Sequence, residues 1–513
     1  MRAKQPDTSG FIERDGVRVY HETYGSGPAT ILMLPTWSVL DSSHGRFQLA
    51  DLSRHYRVVT FDGRGNGRSD RPADPAAYAG GEFVQDALAV LDATETDRAV
   101  MVACSVATFW VLQLAAEHPE RVMGVVASGT NLPLGPAEDQ LDMGPFADPE
   151  YWRTHYEEFL RFFFSHVWTE PHSENLIESC VATGLGTTAE TLINTVGSNP
   201  MSEEEALDLI HRTRCPWLVI HGEGDEVQPH VRAERLAREA GGSLVTLAGA
   251  AHCSGNRDPV RFNLLVREFT DAVLGRPAMR RTWRRAASRP RSVLMVSGDG
   301  ADTVTRDLAI VSALRQRRPE LRIEWLADAS ARAVLVQHGE AIHPASAQLG
   351  SPPAPATDSF SAWREADELH LLTFTVLHDL VADDPVDLVV ADQAWGVDHH
   401  LHENPELKSF AYAWVTDAIG WLPEPDADDR RRHLMVDANA GMVEQVERYP
   451  RVRDDAIYLG GGPGDLSDVP LGPDLPSARG WARDRFAFVG QLSGGPGTGR
   501  AADRVADRLA SLV

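Results

Sequence analysis

Residues Ala99 to Glu117 read Ala-Val-Met-Val-Ala-Cys-Ser-Val-Ala-Thr-Phe-Trp-Val-Leu-Gln-Leu-Ala-Ala-Glu, and this stretch decides the fold. Its first five residues are apolar and rich in valine, which suits a buried strand. A turn of small residues follows, Ala103-Cys104-Ser105-Val106-Ala107, and then a helix-like run from Ala107 to Glu117. The apolar stretch from Val100 to Ala116 is broken by Ser105, Thr108 and Gln113 and is short for a membrane span. Strand, tight turn and helix in this order lift the Ser105 hydroxyl above a sheet edge and aim the helix N-terminus at it. Read alone, the same pattern also describes a small serine in an ordinary strand-helix turn.

Working outward, the first segment alternates the two periodicities. Val17–Thr23, Thr30–Leu34 and Tyr56–Phe61 read as strands, the last ended by Asp62-Gly63-Arg64-Gly65. A helix is expected over Gly81–Ala93, and further strands over Val122–Ala127, Trp217–His221 and Ser243–Leu247. Between them, residues 131 to about 210 hold aromatic-rich helical stretches such as Tyr151–Trp168 and no clear strand. The alternation predicts α/β architecture, a mostly parallel sheet with helices on both faces. The helical insertion becomes a cap over the carboxyl edge, where such sheets place their sites. Its Trp152, Tyr156, Phe162, Phe163, Phe164 and Trp168 are either core or the wall of an apolar acyl pocket.

Two later loops add to Ser105. Asp225 lies in His221-Gly222-Glu223-Gly224-Asp225-Glu226-Val227, just past a strand, and His252 lies in Gly249-Ala250-Ala251-His252-Cys253-Ser254. A serine hydroxyl is a weak nucleophile until a base takes its proton. An imidazole at His252 meets that need when a carboxylate at Asp225 orients it. Each residue alone has a bland reading as a loop aspartate or loop histidine. Three of them at matching strand ends favour the catalytic one.

Residues about 10–275 resemble the α/β-hydrolase superfamily, its esterase-like members in particular. The stretches that carry the resemblance are Phe61-Asp62-Gly63-Arg64-Gly65-Asn66-Gly67-Arg68-Ser69, Thr213-Arg214-Cys215-Pro216 leading to Asp225, and Gly249–Asn263 around His252. The resemblance implies Ser105 as nucleophile, His252 as base and Asp225 as orienting acid. It implies an oxyanion hole made by the backbone N–H groups of Trp37 and Val106. The sequence departs from the family at Ala103 and Ala107, where glycine is usual, and at Pro35-Thr36, where His-Gly is usual.

Residues 276–291, with seven arginines, two prolines and no acid, mark a linker between a domain at 1–275 and another at 292–513. The second segment repeats the α/β theme, with strands expected at Ser292–Val296, Arg322–Leu326 and Asp387–Val390 and a helix at Arg306–Arg317. Residues 350–357 read as a Pro-rich loop. Gly298–Leu308, Leu401-His402-Glu403-Asn404-Pro405-Glu406-Leu407-Lys408 and Ala413–Pro423 resemble a bacterial two-domain glycosyltransferase of the GT-B type. Gly494-Gly495-Pro496-Gly497-Thr498-Gly499 resembles the first glycine-rich loop of the nucleotide-sugar half. This resemblance implies a Rossmann-like domain with a truncated donor half and a sugar or glycosylated ligand. Gly300-Ala301-Asp302-Thr303 replaces the family's Gly-x-Gly-His. Arg500 and Ala501 stand where a P-loop has Lys and Ser/Thr, which excludes an NTPase. His399, His400, His402 and Glu403 are read as capping a loop rather than binding metal.

The 513-residue chain carries a formal charge of −25, and an acidic field of that size argues against a nucleic-acid partner. Mean hydropathy of −0.26 suits a water-soluble chain. The N-terminal Met-Arg-Ala-Lys-Gln-Pro-Asp-Thr-Ser-Gly lacks an apolar signal region, so a cytoplasmic location is expected. Cys104, Cys180, Cys215 and Cys253 show no CxxC pairing and no metal-ligand spacing, and are read as reduced thiols with no metal or cofactor. The expectation is a cytosolic serine hydrolase of esterase type acting on a small acyl substrate. The alternatives are a glycosyltransferase-like protein and a non-catalytic binding or sensing protein.

Overall fold

A computed structural model describes residues 4–135, 143–276, 291–298, 301–350, 359–422, 429–492 and 498–513. Most of the arginine-rich stretch, the Pro-rich loop and Gly494–Gly497 therefore lie outside the described residues. The chain divides into two compact units, Arg2–Met279 and Arg280–Val513.

The first unit is built on eight strands: β1 (Thr8–Arg14), β2 (Val17–Tyr24), β3 (Thr30–Met33), β4 (Arg57–Phe61), β5 (Ala99–Cys104), β6 (Val122–Ser128), β7 (Trp217–Gly222) and β8 (Ser243–Leu247). They are ordered β1-β2-β4-β3-β5-β6-β7-β8. β1 pairs with β2, and β2 with β4, antiparallel; every pairing from β4 to β8 is parallel. Successive side chains of a strand point to opposite faces, and both faces here are apolar. Met101 and Ala103 join Leu32, Val59, Val125 and Val219 in a core under the helices Gly80–Ala93, Ala107–Glu117 and His230–Glu239. Val100 and Val102 join Ile31, Val58, Val126 and Ile220 in a second core under the helices Arg46–Leu52 and Pro259–Val273. Continuous apolar strands with no polar face are what a sheet covered on both sides requires.

Between β6 and β7 the described chain is helical, at Pro149–Thr154, Tyr156–Val167, Glu174–Gly184, Ala189–Thr195 and Glu203–Arg212. Several of its aromatic residues pack into the interior. Trp152, Phe164 and Trp168 are almost fully buried. Trp152 stacks on Phe159 at 4.3 Å.

The second unit holds β9 (Ser292–Ser297), β10 (Arg322–Leu326), β11 (Leu388–Asp392), β12 (Ala411–Thr416), β13 (Asp455–Tyr458) and β14 (Ala487–Phe488). The sheet is parallel throughout, in the order β10-β9-β11-β12-β13-β14. It is consistent with a Rossmann-like domain. One face packs against the helices Ala301–Arg317 and Thr498–Leu512 through Val304, Leu314, Val505 and Leu509. The strand order reverses between β9 and β11, the point where open α/β sheets form a crevice. Arg306 pairs there with Asp392 through two hydrogen bonds of 2.6 Å, and Ser297 donates to buried Asp307 at 2.5 Å. The residues His399, His400, His402 and Glu403 lie on or at the end of a helix, Trp395–Glu403, rather than in a loop. Helical spacing puts His399 Nε2 3.4 Å from Glu403 and turns buried His402 Nδ1 onto the Asp398 carbonyl at 2.7 Å.

Candidate active site

The carboxyl ends of β3, β5, β6, β7 and β8 bring the candidate side chains of the first unit together. Ser105 follows β5 directly and sits at φ +57°, in the left-handed region that non-glycine residues rarely occupy. Its N–H donates to the Ser128 carbonyl at 2.9 Å, and Thr108 donates back to the Ser105 carbonyl through N–H and hydroxyl. These bonds hold the strained turn from both sides. Ala103 and Ala107 are 1 % and 0 % exposed and belong to the core beneath the sheet. Their methyl groups are accommodated as packing, so the elbow forms without the usual glycines.

Asp225 lies in the turn after β7. Its Oδ1 accepts the Val227 and Gln228 N–H groups at 2.9 and 2.8 Å, which fixes the carboxylate plane. Its Oδ2 faces His252 Nδ1 at 2.8 Å, with both side chains nearly inaccessible. A carboxylate only accepts, so Nδ1 donates and Nε2 is left as the basic nitrogen. Burial opposes the imidazolium, but the Asp225 charge and hydrogen bond outweigh it and raise the His252 pKa. Burial likewise opposes the carboxylate, but the charge and hydrogen bond of His252, helped by His221 and the Gln228 N–H, bring Asp225 below its ordinary value.

The surroundings fix the histidine loop. His252 N–H donates to the Val167 carbonyl at 3.2 Å, and Ala251 N–H to Glu170 Oε1 at 2.7 Å, so the end of the cap holds it. Gly129, at φ +55°, closes the other side: a Cβ there would lie 2.8 Å from His252 Cε1. Fully buried His221 has Nε2 3.1 Å from the Gln228 carbonyl and 3.4 Å from Asp225 Oδ2. The carbonyl only accepts, so Nε2 carries the proton. Burial lowers the His221 pKa and keeps the ring neutral beside the acid.

Trp37 belongs to the loop after β3. Thr36 donates to the Cys104 carbonyl at 3.2 Å and Ser38 to the Arg64 carbonyl at 2.8 Å, which fastens this loop to the elbow and to the loop after β4. Arg64, almost fully buried, is held in turn by Asp86 at 2.6 and 2.8 Å. Val106 precedes the first residue of the helix Ala107–Glu117. Among the described residues, neither the Trp37 nor the Val106 backbone N–H has an intramolecular acceptor, while the Trp37 indole N–H donates to Thr195 Oγ1 at 2.6 Å. Ser105, His252, Trp37 and Val106 all line one cavity of about 570 Å³, together with Phe109, Phe163, Phe164, Val167 and Asn199. That volume suits a small organic ligand. Of the cap aromatics singled out in the sequence, Phe163 and Phe164 reach this wall.

Residues 30–255 match the alpha/beta hydrolase fold family. The N-terminal half has the alpha/beta hydrolase fold. The chain is 24 % identical over 271 residues to serine hydrolase BPHL of Mus musculus, covering 51 % of this chain and 86 % of that protein. It is 27 % identical over 252 residues to 2-hydroxymuconate semialdehyde hydrolase of Pseudomonas sp. strain CF600, covering 48 % and 84 %. Among solved structures, the esterase EaEST of Exiguobacterium antarcticum matches at 20 % identity and a TM-score of 0.46, covering 51 % of this chain and 98 % of that one.

The contacts of Gly129 and His221 with the triad candidates, and of Glu170 with the histidine loop, follow from no sequence motif. Gly129 carries no motif, and its role rests on a contact across 123 positions with His252. His221 had a readable signal, a histidine at the strand end four residues before the acid.

Proposed function

We propose that the first unit is a serine hydrolase of esterase type that cleaves a small ester or related acyl substrate. One observation carries this reading: Ser105, on a strained elbow, shares a cavity wall with His252, whose far nitrogen is held 2.8 Å from Asp225. The hydrolase names of the relatives support it. In the first half-reaction Ser105 Oγ bonds to the substrate carbonyl carbon while its proton passes to His252 Nε2. The carbonyl oxygen becomes an oxyanion and takes hydrogen bonds from the Trp37 and Val106 N–H groups. His252 then protonates the departing alkoxide, leaving an acyl-serine. Water repeats the sequence, with its proton taken by His252 and returned to Ser105 Oγ as the acid departs. Asp225 keeps its charge and stabilises the imidazolium in both halves.

The wall formed by Phe109, Phe163, Phe164 and Val167 suits an apolar acyl or alcohol group rather than a charged one. Hydrolysis of short-chain p-nitrophenyl esters tests the reading. Turnover that Ser105→Ala removes supports it; turnover unchanged in that variant, or none from the folded wild type across acyl lengths, contradicts it.

A further inference from the structure

Behind the proposed nucleophile lies a second cluster, which the sequence spacing hides. Cys104 immediately precedes Ser105 and Cys253 immediately follows His252, and their sulfurs are 3.9 Å apart. His44, from the short 3-10 turn Ser42–Gly45 that precedes the helix Arg46–Leu52, joins them. One ligand atom from each of the three residues lies within 4.8 Å of the other two. His44 Nδ1 is buried and makes no hydrogen bond among the described residues. The three side chains line a small cavity of about 50 Å³, which shares Thr36 and Cys253 with the larger one. That space suffices for an ion and a water ligand.

The spacing of the two sulfurs fits a tetrahedral ion, with the imidazole nitrogen within 4.8 Å of both. Zinc–sulfur bonds of about 2.3 Å, at tetrahedral angles, place two thiolates roughly 3.8 Å apart. The observed 3.9 Å needs almost no adjustment. A disulfide, by contrast, would draw the sulfurs to about 2.05 Å. Two sulfurs and an imidazole form a soft-to-borderline donor set, which selects Zn²⁺ over magnesium or calcium. We propose that His44, Cys104 and Cys253 bind one Zn²⁺, with water as fourth ligand, and that the ion ties the serine elbow to the histidine loop. On binding, both thiols lose their protons to solvent and two sulfur–metal bonds form, so one Zn²⁺ enters as two H⁺ leave. The role assigned to the ion is to tie the two loops together; acyl transfer is carried by Ser105 and His252.

Full-length protein, stripped with chelator and kept reduced, is titrated with Co²⁺ and then with Zn²⁺. One Co²⁺ per chain with a near-ultraviolet thiolate-to-cobalt charge-transfer band, bleached by Zn²⁺, is expected. Cys104→Ser or Cys253→Ser removes the band, and His44→Gln weakens binding by roughly tenfold or more. Zn²⁺ also raises the melting temperature of the wild type, by mass action on the folded state. Absence of the band in the wild type, with both thiols still free to react, overturns the proposal without recourse to any variant. So does recovery of a Cys104–Cys253 disulfide in a protein that takes up no metal after reduction. The readout is metal binding, so it stands or falls apart from esterase activity.

Discussion

His252 Nδ1 lies 2.8 Å from Asp225 Oδ2, and the same Asp225 oxygen lies 3.4 Å from Nε2 of fully buried His221. The acid is therefore flanked by two imidazoles, one facing the cavity and one sealed beneath it. Only His252 lines the cavity with Ser105. Replacing Asp225 by Asn removes the charge that orients and stabilises that ring. Steady-state kinetics on an ester substrate should show kcat reduced by roughly three to four orders of magnitude with KM little changed. A loss below tenfold would show that Asp225 does not serve His252.

The raised pKa of His252 fixes a pH limb. The ring must be neutral to accept the serine proton, so kcat/KM should climb with pH through a value above the ordinary 6.5. In Asp225→Asn the largest attraction disappears while burial remains, so the residual limb should move to lower pH. Stability follows opposite signs for the two partners. The His252 contribution is complete below pH 6.5 and fades as pH rises through its raised folded value. The Asp225 contribution is complete above 3.8 and fades as pH falls through its lowered folded value. Rate profiles and urea melts across pH check both.

Gly129→Ala tests the wall behind the imidazole. A methyl there meets His252 Cε1 at 2.8 Å on a backbone at φ +55°, so the ring must shift. Left-handed backbone adds about 1–2 kcal/mol of strain. The variant should fold with a lowered melting temperature and lose kcat far more than its stability loss explains. Wild-type kcat would show that the ring has slack.

Ala103→Gly and Ala107→Gly restore the residues usual in this fold. Both methyls are buried in the core, so each change should cost about 0.5–1 kcal/mol and leave a cavity. Esterase kcat/KM should stay within roughly threefold of wild type. A large gain would mean that the alanines restrain the elbow.

The sequence made the strands legible where apolar runs were sharply bounded. Thr30–Leu34, Ala99–Ala103, Trp217–His221 and Ser243–Leu247 all fall within a residue of β3, β5, β7 and β8. β1 was hidden because Thr8–Arg14 is an exposed, polar strand at the sheet edge. β14 was hidden because it spans only Ala487–Phe488, set by pairing to β13 rather than by pattern. Asp225 and His252 stand out as candidates because each follows a strand end. The partners of Cys253 do not, because His44 and Cys104 arrive from distant stretches of chain brought together by the parallel strand order. The alanines at 103 and 107 looked like a departure from the motif, and the core packing shows why they fit.

Ser105 is the proposed nucleophile, and covalent capture reads that role most directly. The full-length protein is treated with a fluorophosphonate, digested and sequenced by mass spectrometry. The adduct is expected on Ser105 alone, and no labelling is expected in Ser105→Ala. Folded wild-type protein that stays unlabelled, or that carries the adduct on another residue, would contradict it.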